Sequence, residues 1–329
     1  MDRNVKDAVQ YVAGMHDIFR THADPYRAHE EARGLLAEVS RAPAFVKAVL
    51  QQHLAEAETF NRPRKNPVLE FVIEDNEYFT LIANCWIPRD DRDTTLSAQS
   101  IHHHGSLLLT TTAIHGTGYE TWNFTEPEPI PGGEFLFNMS VSQAGRHPAG
   151  NIAFVDAYLP HIVFYPEQLS VTLALWSSST PKNWKAALKK MPLIQRFKKP
   201  LKATLQFLGL ARALELNVVT LFDYYPVGGA FKGLVKRVMY PMGTNENYLR
   251  NMFHVVQQTG NADLGEVIGD TLKRDRGRIM ESKLVEEYES RLKSGLPIES
   301  QFEESHRFLP YANLRHEDVR RAVSAAGTS

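Results

Sequence analysis

Between residues 67 and 178 the chain breaks into short apolar and β-branched runs, and this punctuation limits the fold more than any other feature. "VLEFVIEDNEYFTLIANCWIP" reads as a hairpin turning near Asp75 and Asn76. "SLLLTTTAI", "YETWNF", "GEFLFNMSVSQ", "NIAFVDAYL", "HIVFYP" and "LSVTLALWS" follow, each bounded by Gly, Pro or an acidic cluster. Short strands at close intervals with turn signals between them indicate an all-β barrel or sandwich.

The flanks differ. Upstream, "EEARGLLAEVSRAPAFVKAVLQQHLAEAE" repeats Ala, Leu and Val at helical spacing, with Pro43 marking a break between two helices. Downstream, "ADLGEVIGDTLKRDRGRIMESKLVEEYESRLKSG" is again helix-favouring, and Gly228 and Gly229 read as a loop. The expected organisation is a helical region over 1–66, a β-barrel over 67–180 and a helical region over 181–329. The fold class is therefore mixed, with a mainly β core.

Composition narrows the function classes. The 329 residues carry a formal net charge of −1, so no whole-chain field attracts nucleic acid or anionic lipid. The basic run from Lys182 to Lys202 reads as a solvated amphipathic helix, because no nucleic-acid-binding signature accompanies it. No run is apolar enough to span a bilayer. Cys85 is the single cysteine, which excludes an intrachain disulfide and suits a reducing compartment. The opening "MDRNVKDAVQYVAG" lacks a signal-peptide core, so the expected compartment is cytoplasmic. Nucleophile-elbow, zinc-protease, dinucleotide and phosphate-loop motifs are all missing.

Chemistry concentrates in "SIHHHGSLLLTTTAIHG", residues 100–116. His102 and His104 are two residues apart, so on a strand both face one side while His103 faces the other. Two imidazoles on one face can share a metal, with a third ligand from elsewhere. His161, at the start of a strand after Pro160, is the best candidate. Three neutral imidazoles suit Fe(II), Zn, Ni, Mn or Cu. His115, at an odd offset from His104, is left out of the ligand set. Glu120, the nearest downstream carboxylate, is either a fourth ligand or acid/base group, or an ordinary cross-strand residue. His147 reads as a polar turn residue. Tyr119, Trp122, Phe135, Phe137, Phe154, Tyr158 and Trp176 are candidates to line a barrel pocket or fill its core.

"IHHHG", followed by Gly150, a short strand and "LPHIVFYPE", resembles the cupin superfamily, over roughly residues 67–178. The resemblance implies a double-stranded β-barrel of the RmlC-like jelly-roll type, with a metal held at its mouth. "HHHGSLLLTTTAIHGTGYETWNF" further resembles the cysteine-dioxygenase-like branch. Two departures qualify this. The carboxylate ligand of the family's first motif falls at Leu108 or Leu109, leaving three histidines. The late-strand histidine of the thiol dioxygenases is replaced by Ala174 in "TLALWS", which argues against cysteine as substrate. What the resemblance implies is a mononuclear oxygenase, with Fe(II) foremost, acting on a small organic substrate with O₂. The alternatives are a non-catalytic ligand-binding cupin and a Zn- or Ni-dependent isomerase or hydrolase. The helical flanks are expected to cap the barrel mouth or to build a homodimer interface.

Overall fold

A computed structural model describes residues 3–42, 44–61, 68–89, 96–148, 150–179, 218–239, 244–301 and 314–326. The N-terminal region forms three helices, α1 (Arg3–Thr21), α2 (Pro25–Ser40) and α3 (Ala44–Leu54). An additional break precedes α2: the Asp24 carboxylate accepts from the Tyr26 N–H at 3.0 Å, and Pro25 occupies the first turn. Cap and proline together start a helix at that point. The second break, between Ser40 and Ala44, flanks Pro43, which lies outside the described residues.

β1 (Leu69–Asp75) and β2 (Thr80–Trp86) make the expected hairpin. The Asn76 side chain closes its turn by accepting from the Tyr78 and Phe79 N–H groups at 2.8 and 3.0 Å. The remaining barrel strands are β3 (Ile101–His103), β4 (Leu107–His115), β5 (Glu120–Phe124), β6 (Glu128–Pro129), β7 (Leu136–Asn138), β8 (Val141–Arg146), β9 (Ile152–Val155), β10 (His161–Phe164) and β11 (Ser170–Ser178).

The C-terminal region departs from the sequence expectation. Alongside helices α4 (Asn245–Gln258), α5 (Gly265–Asp275), α6 (Ser282–Lys293) and α7 (His316–Ala326), it contributes two strands, β12 (Val218–Val227) and β13 (Ala230–Met239). The reason is local chemistry. Gly228 and Gly229 have φ of 55° and 88°, the left-handed pair that joins twisted strands in a two-residue hairpin. Around them, "VVTLFDYYPV" is β-branched and aromatic, which favours a pleated strand. The glycine pair is thus a hairpin turn rather than a break between helices. The basic run from Lys182 to Lys202 lies outside the described residues.

All described strand pairings are antiparallel, in two sheets ordered β1-β2-β11-β4-β9 and β6-β7-β13-β12-β3-β10-β5-β8. Alternation sorts their side chains. In β11, Val171, Leu173 and Leu175 enter one large apolar core together with α1–α3 and α4–α6. Ala174 packs instead with Leu109, Val155 and Trp176 on the opposite face. α2 and α3 therefore cover the outside of the five-stranded sheet, and α4–α6 join the same core, with α5 packed against α3. α7 covers the outside of the other sheet, its Val319 and Ala322 packing on Ile101, Trp122, Ile162 and Phe164. The described residues thus form two antiparallel β-sheets flanked by helices. No helix among the described residues is long and apolar enough to cross a membrane.

One buried polar contact fixes α2 to the barrel. His29, on the face that buries Ala28, Ala32, Leu36 and Val39, lies between Thr110 Oγ1 at 2.7 Å and Ser177 Oγ at 2.8 Å. Burial lowers its pKa to about 4. The folded state thus prefers the neutral ring, and the unfolded chain takes up a proton first as pH falls. The resulting contribution is complete above about pH 6.5 and is lost between there and about pH 4. A His29→Leu variant should therefore narrow its stability gap to wild type by roughly 3 kcal/mol from pH 7 to pH 4, read by urea unfolding. A gap independent of pH would contradict this.

Candidate metal centre

β3 and β10 pair with His102 directly opposite His161. Opposed residues of an antiparallel pair share a face. His104 follows the end of β3 and, two residues on, returns to the same side. The three rings form a nearly equilateral triangle: centroids are 4.5 Å apart for His102–His161, and 4.7 Å for both His102–His104 and His104–His161. One nitrogen from each lies within 4.8 Å of the others. His102 and His161 are buried and His104 is half-buried.

Local contacts set the ring states. His102 Nδ1–H donates to the Ser100 carbonyl at 2.7 Å, which leaves Nε2 as a lone-pair donor. That Nε2 faces His104 Nε2 at 3.0 Å. Burial lowers the pKa of all three rings, for His104 and His161 well below the usual histidine range, and neighbouring imidazoles reinforce this for those two. Neutral rings are what a metal requires. Metal–nitrogen bonds of ~2.1 Å at right angles place two ligand nitrogens about 3.0 Å apart, matching the observed separation. Without a cation, one N–H···N hydrogen bond accounts for the His102–His104 pair. It does not account for a third buried imidazole on the same point. The donor set fits a single transition-metal ion.

The wall beside the triangle is apolar. Trp176 meets the His104 ring edge-on at 4.5 Å, and Leu109, Val155 and Ala174 pack with Trp176. Leu108 and Leu109 supply no carboxylate, and Ala174 no imidazole, so among the described residues the set consists of histidines alone.

The other candidates lie elsewhere. His103 points to the opposite face, stacked on Phe222 at 4.5 Å, with Nδ1 accepting from the Gly105 N–H at 2.9 Å. His115 sits beyond a bulge at the end of β4, opposite Val171 and outside the triangle. Glu120 does not join the ligands: it pairs with Phe164, three positions along β5 from the His161 partner Asn123, and so faces outward. Its carboxylate accepts from Trp122 Nε1–H at 2.8 Å and lies 3.3 Å from His316 Nε2 of α7. His147 is no exposed turn residue: it is buried near Tyr119, ring centroids 5.5 Å apart, and burial lowers its pKa to about 4. Of the candidate lining aromatics, Trp176 touches the triangle, whereas Phe135 and Tyr158 are exposed, and Trp122 packs on the outer face.

Sequence reasoning missed Asp223. On β12 it lies opposite His102, on the other side of β3 from His161, and it is buried. A lone acid inside the aromatic run "LFDYY" was the available signal. The row across the sheet reads Gln143, Asn123, His161, His102, Asp223, Leu234, one residue from each of six strands.

Neither a protein-family model nor a curated protein matches the chain. Among solved structures, it is similar to an uncharacterised double-stranded β-helix protein from Klebsiella pneumoniae, at 13% identity and a TM-score of 0.24, over 38% of this chain and 90% of that one. It is also similar to an RmlC-like cupin protein from Desulfovibrio desulfuricans, at 12% identity and a TM-score of 0.21, over 34% and 82%. An oxalate oxidase aligns at 12% identity and a TM-score of 0.24, over 37% of this chain and 55% of its own.

Proposed function

We propose that the protein is a mononuclear metal-dependent enzyme whose ion is Fe(II), and that it oxidises a small organic substrate with O₂ in the cytoplasm. The observation that carries this reading is the convergence of three neutral imidazoles, with no carboxylate among them, on one buried point. When bound, such an ion supplies Lewis acidity and, as iron, electrons for dioxygen. His102, His104 and His161 would hold it. Leu109, Val155, Ala174 and Trp176 form the apolar wall beside them, which excludes water and limits side reactions. Asn123 shares the His161 face, and its Oδ1 is buried without a hydrogen-bond partner among the described residues. It is an acceptor available to orient a substrate donor.

Anaerobic purification with elemental analysis, followed by oxygen uptake across a small-molecule panel, tests the reading. The expected result is close to one iron per chain and oxygen consumption that depends on one substrate class. Bound Zn or Ni with turnover but no oxygen uptake would instead indicate an isomerase or hydrolase. Ligand-induced stabilisation without turnover would indicate a binding protein.

A further inference from the structure

We propose that Asp223 is a positioning residue for the metal centre, supplying from the C-terminal hairpin the negative charge that the three-histidine set lacks. The proposal rests on the metal reading above. Its starting point is the register: β12 sets Asp223 directly across from His102, so the carboxylate shares the face that carries the triangle. The contacts then form a relay. Ser100 Oγ–H donates to Asp223 Oδ1 at 2.6 Å, and the carbonyl of the same Ser100 accepts from His102 Nδ1–H at 2.7 Å. Asp223 thereby holds the residue that fixes the tautomer and orientation of His102.

Charge gives the arrangement a second role. Three neutral imidazoles around a divalent ion leave two positive charges in a buried site. Burying charge is costly unless it is paired. Asp223, 2% exposed, offsets one of those charges from outside the ligand set. First-motif positions Leu108 and Leu109 cannot do so. Outer partners of metal ligands typically contribute 10- to 100-fold in metal affinity.

Co(II) is the probe, titrated into the full-length apoprotein against a competing chelator, with its visible absorption recorded. Asp223→Asn keeps an acceptor for Ser100 but removes the charge. The expected result is a 10- to 100-fold weaker Co(II) affinity and an altered absorption envelope. Asp223→Glu, which keeps the charge, should recover part of the loss, and circular dichroism of the apoprotein should be unchanged. Asp223→Asn binding Co(II) with wild-type affinity and spectrum overturns the proposal. If His102→Ala also binds like wild type, the failure belongs to the metal reading instead. Should Asp223→Asn not fold, Ser100→Ala carries the test: weakened Co(II) binding supports the relay, and unchanged binding overturns it.

Discussion

Replacing His102, His104 or His161 with Ala, one at a time, should abolish stoichiometric metal binding while the barrel stays folded. The effect is large because each imidazole is one of the three donors that converge there among the described residues. Losing a direct ligand should cost more than the 10- to 100-fold associated with outer partners. The stability readout follows by mass action. At a metal concentration near 1,000 times its dissociation constant, binding stabilises the folded state by about 4 kcal/mol. Wild type should gain that increment on metal addition, and each variant should lose nearly all of it. The apoproteins should differ much less, because the substitution also removes a buried polar group that the apo state must desolvate. Elemental analysis and thermal melts with and without metal read both quantities. Unchanged metal content in all three variants would sink the assignment.

The second large effect concerns the scaffold. Gly118 joins β4 to β5 with φ at +71°, and a Cβ there would lie 1.7 Å from the His147 carbonyl oxygen and 2.6 Å from its carbon. The obstacle is backbone and cannot rotate away. It is also tied in place, since the His147 N–H donates to the Tyr119 carbonyl at 2.9 Å. Gly118→Ala must therefore separate two segments that begin the β5–β8 pairing at Glu120 and Arg146. A loss beyond about 4 kcal/mol is expected, in the exceptional class for single substitutions. Gly132→Ala is the control: its φ is similar, +77°, but a Cβ meets nothing within 4 Å. Only the left-handed backbone cost of roughly 1–2 kcal/mol applies there. Equal destabilisation of the two variants by urea unfolding would refute the overlap argument.

The three-histidine cluster was legible because it depends on short-range rules. A two-residue spacing fixes the side of a strand, and the Pro160–His161 step marks where another strand begins. The β1–β2 hairpin was legible for the same reason, as was the apolar periodicity of the helices. What the sequence could not reveal depends on pairing between distant segments. Glu120 is adjacent to the site in sequence but sits on the outward face because of its register with β10. His147 looks like a loop residue in "AGRHPAG", yet Tyr119 and its neighbours bury it. Asp223 left only the lone acid of "LFDYY" as a signal, because its place opposite His102 is set by a strand that pairs with β3 from more than a hundred positions away. The β12–β13 hairpin carried its own local signal, a glycine pair between β-branched runs. There the helical character of the surrounding region outweighed it.

That distant hairpin also bears on how the protein is made. During synthesis, β3 emerges long before the strand that flanks it, and until Val218–Val227 follows, one of its edges is bare. An uncovered edge invites pairing with other chains. The face that carries the three histidines is thus completed only by residues that emerge more than a hundred positions after β3, so an ion captured early would meet the histidines before Asp223 arrives.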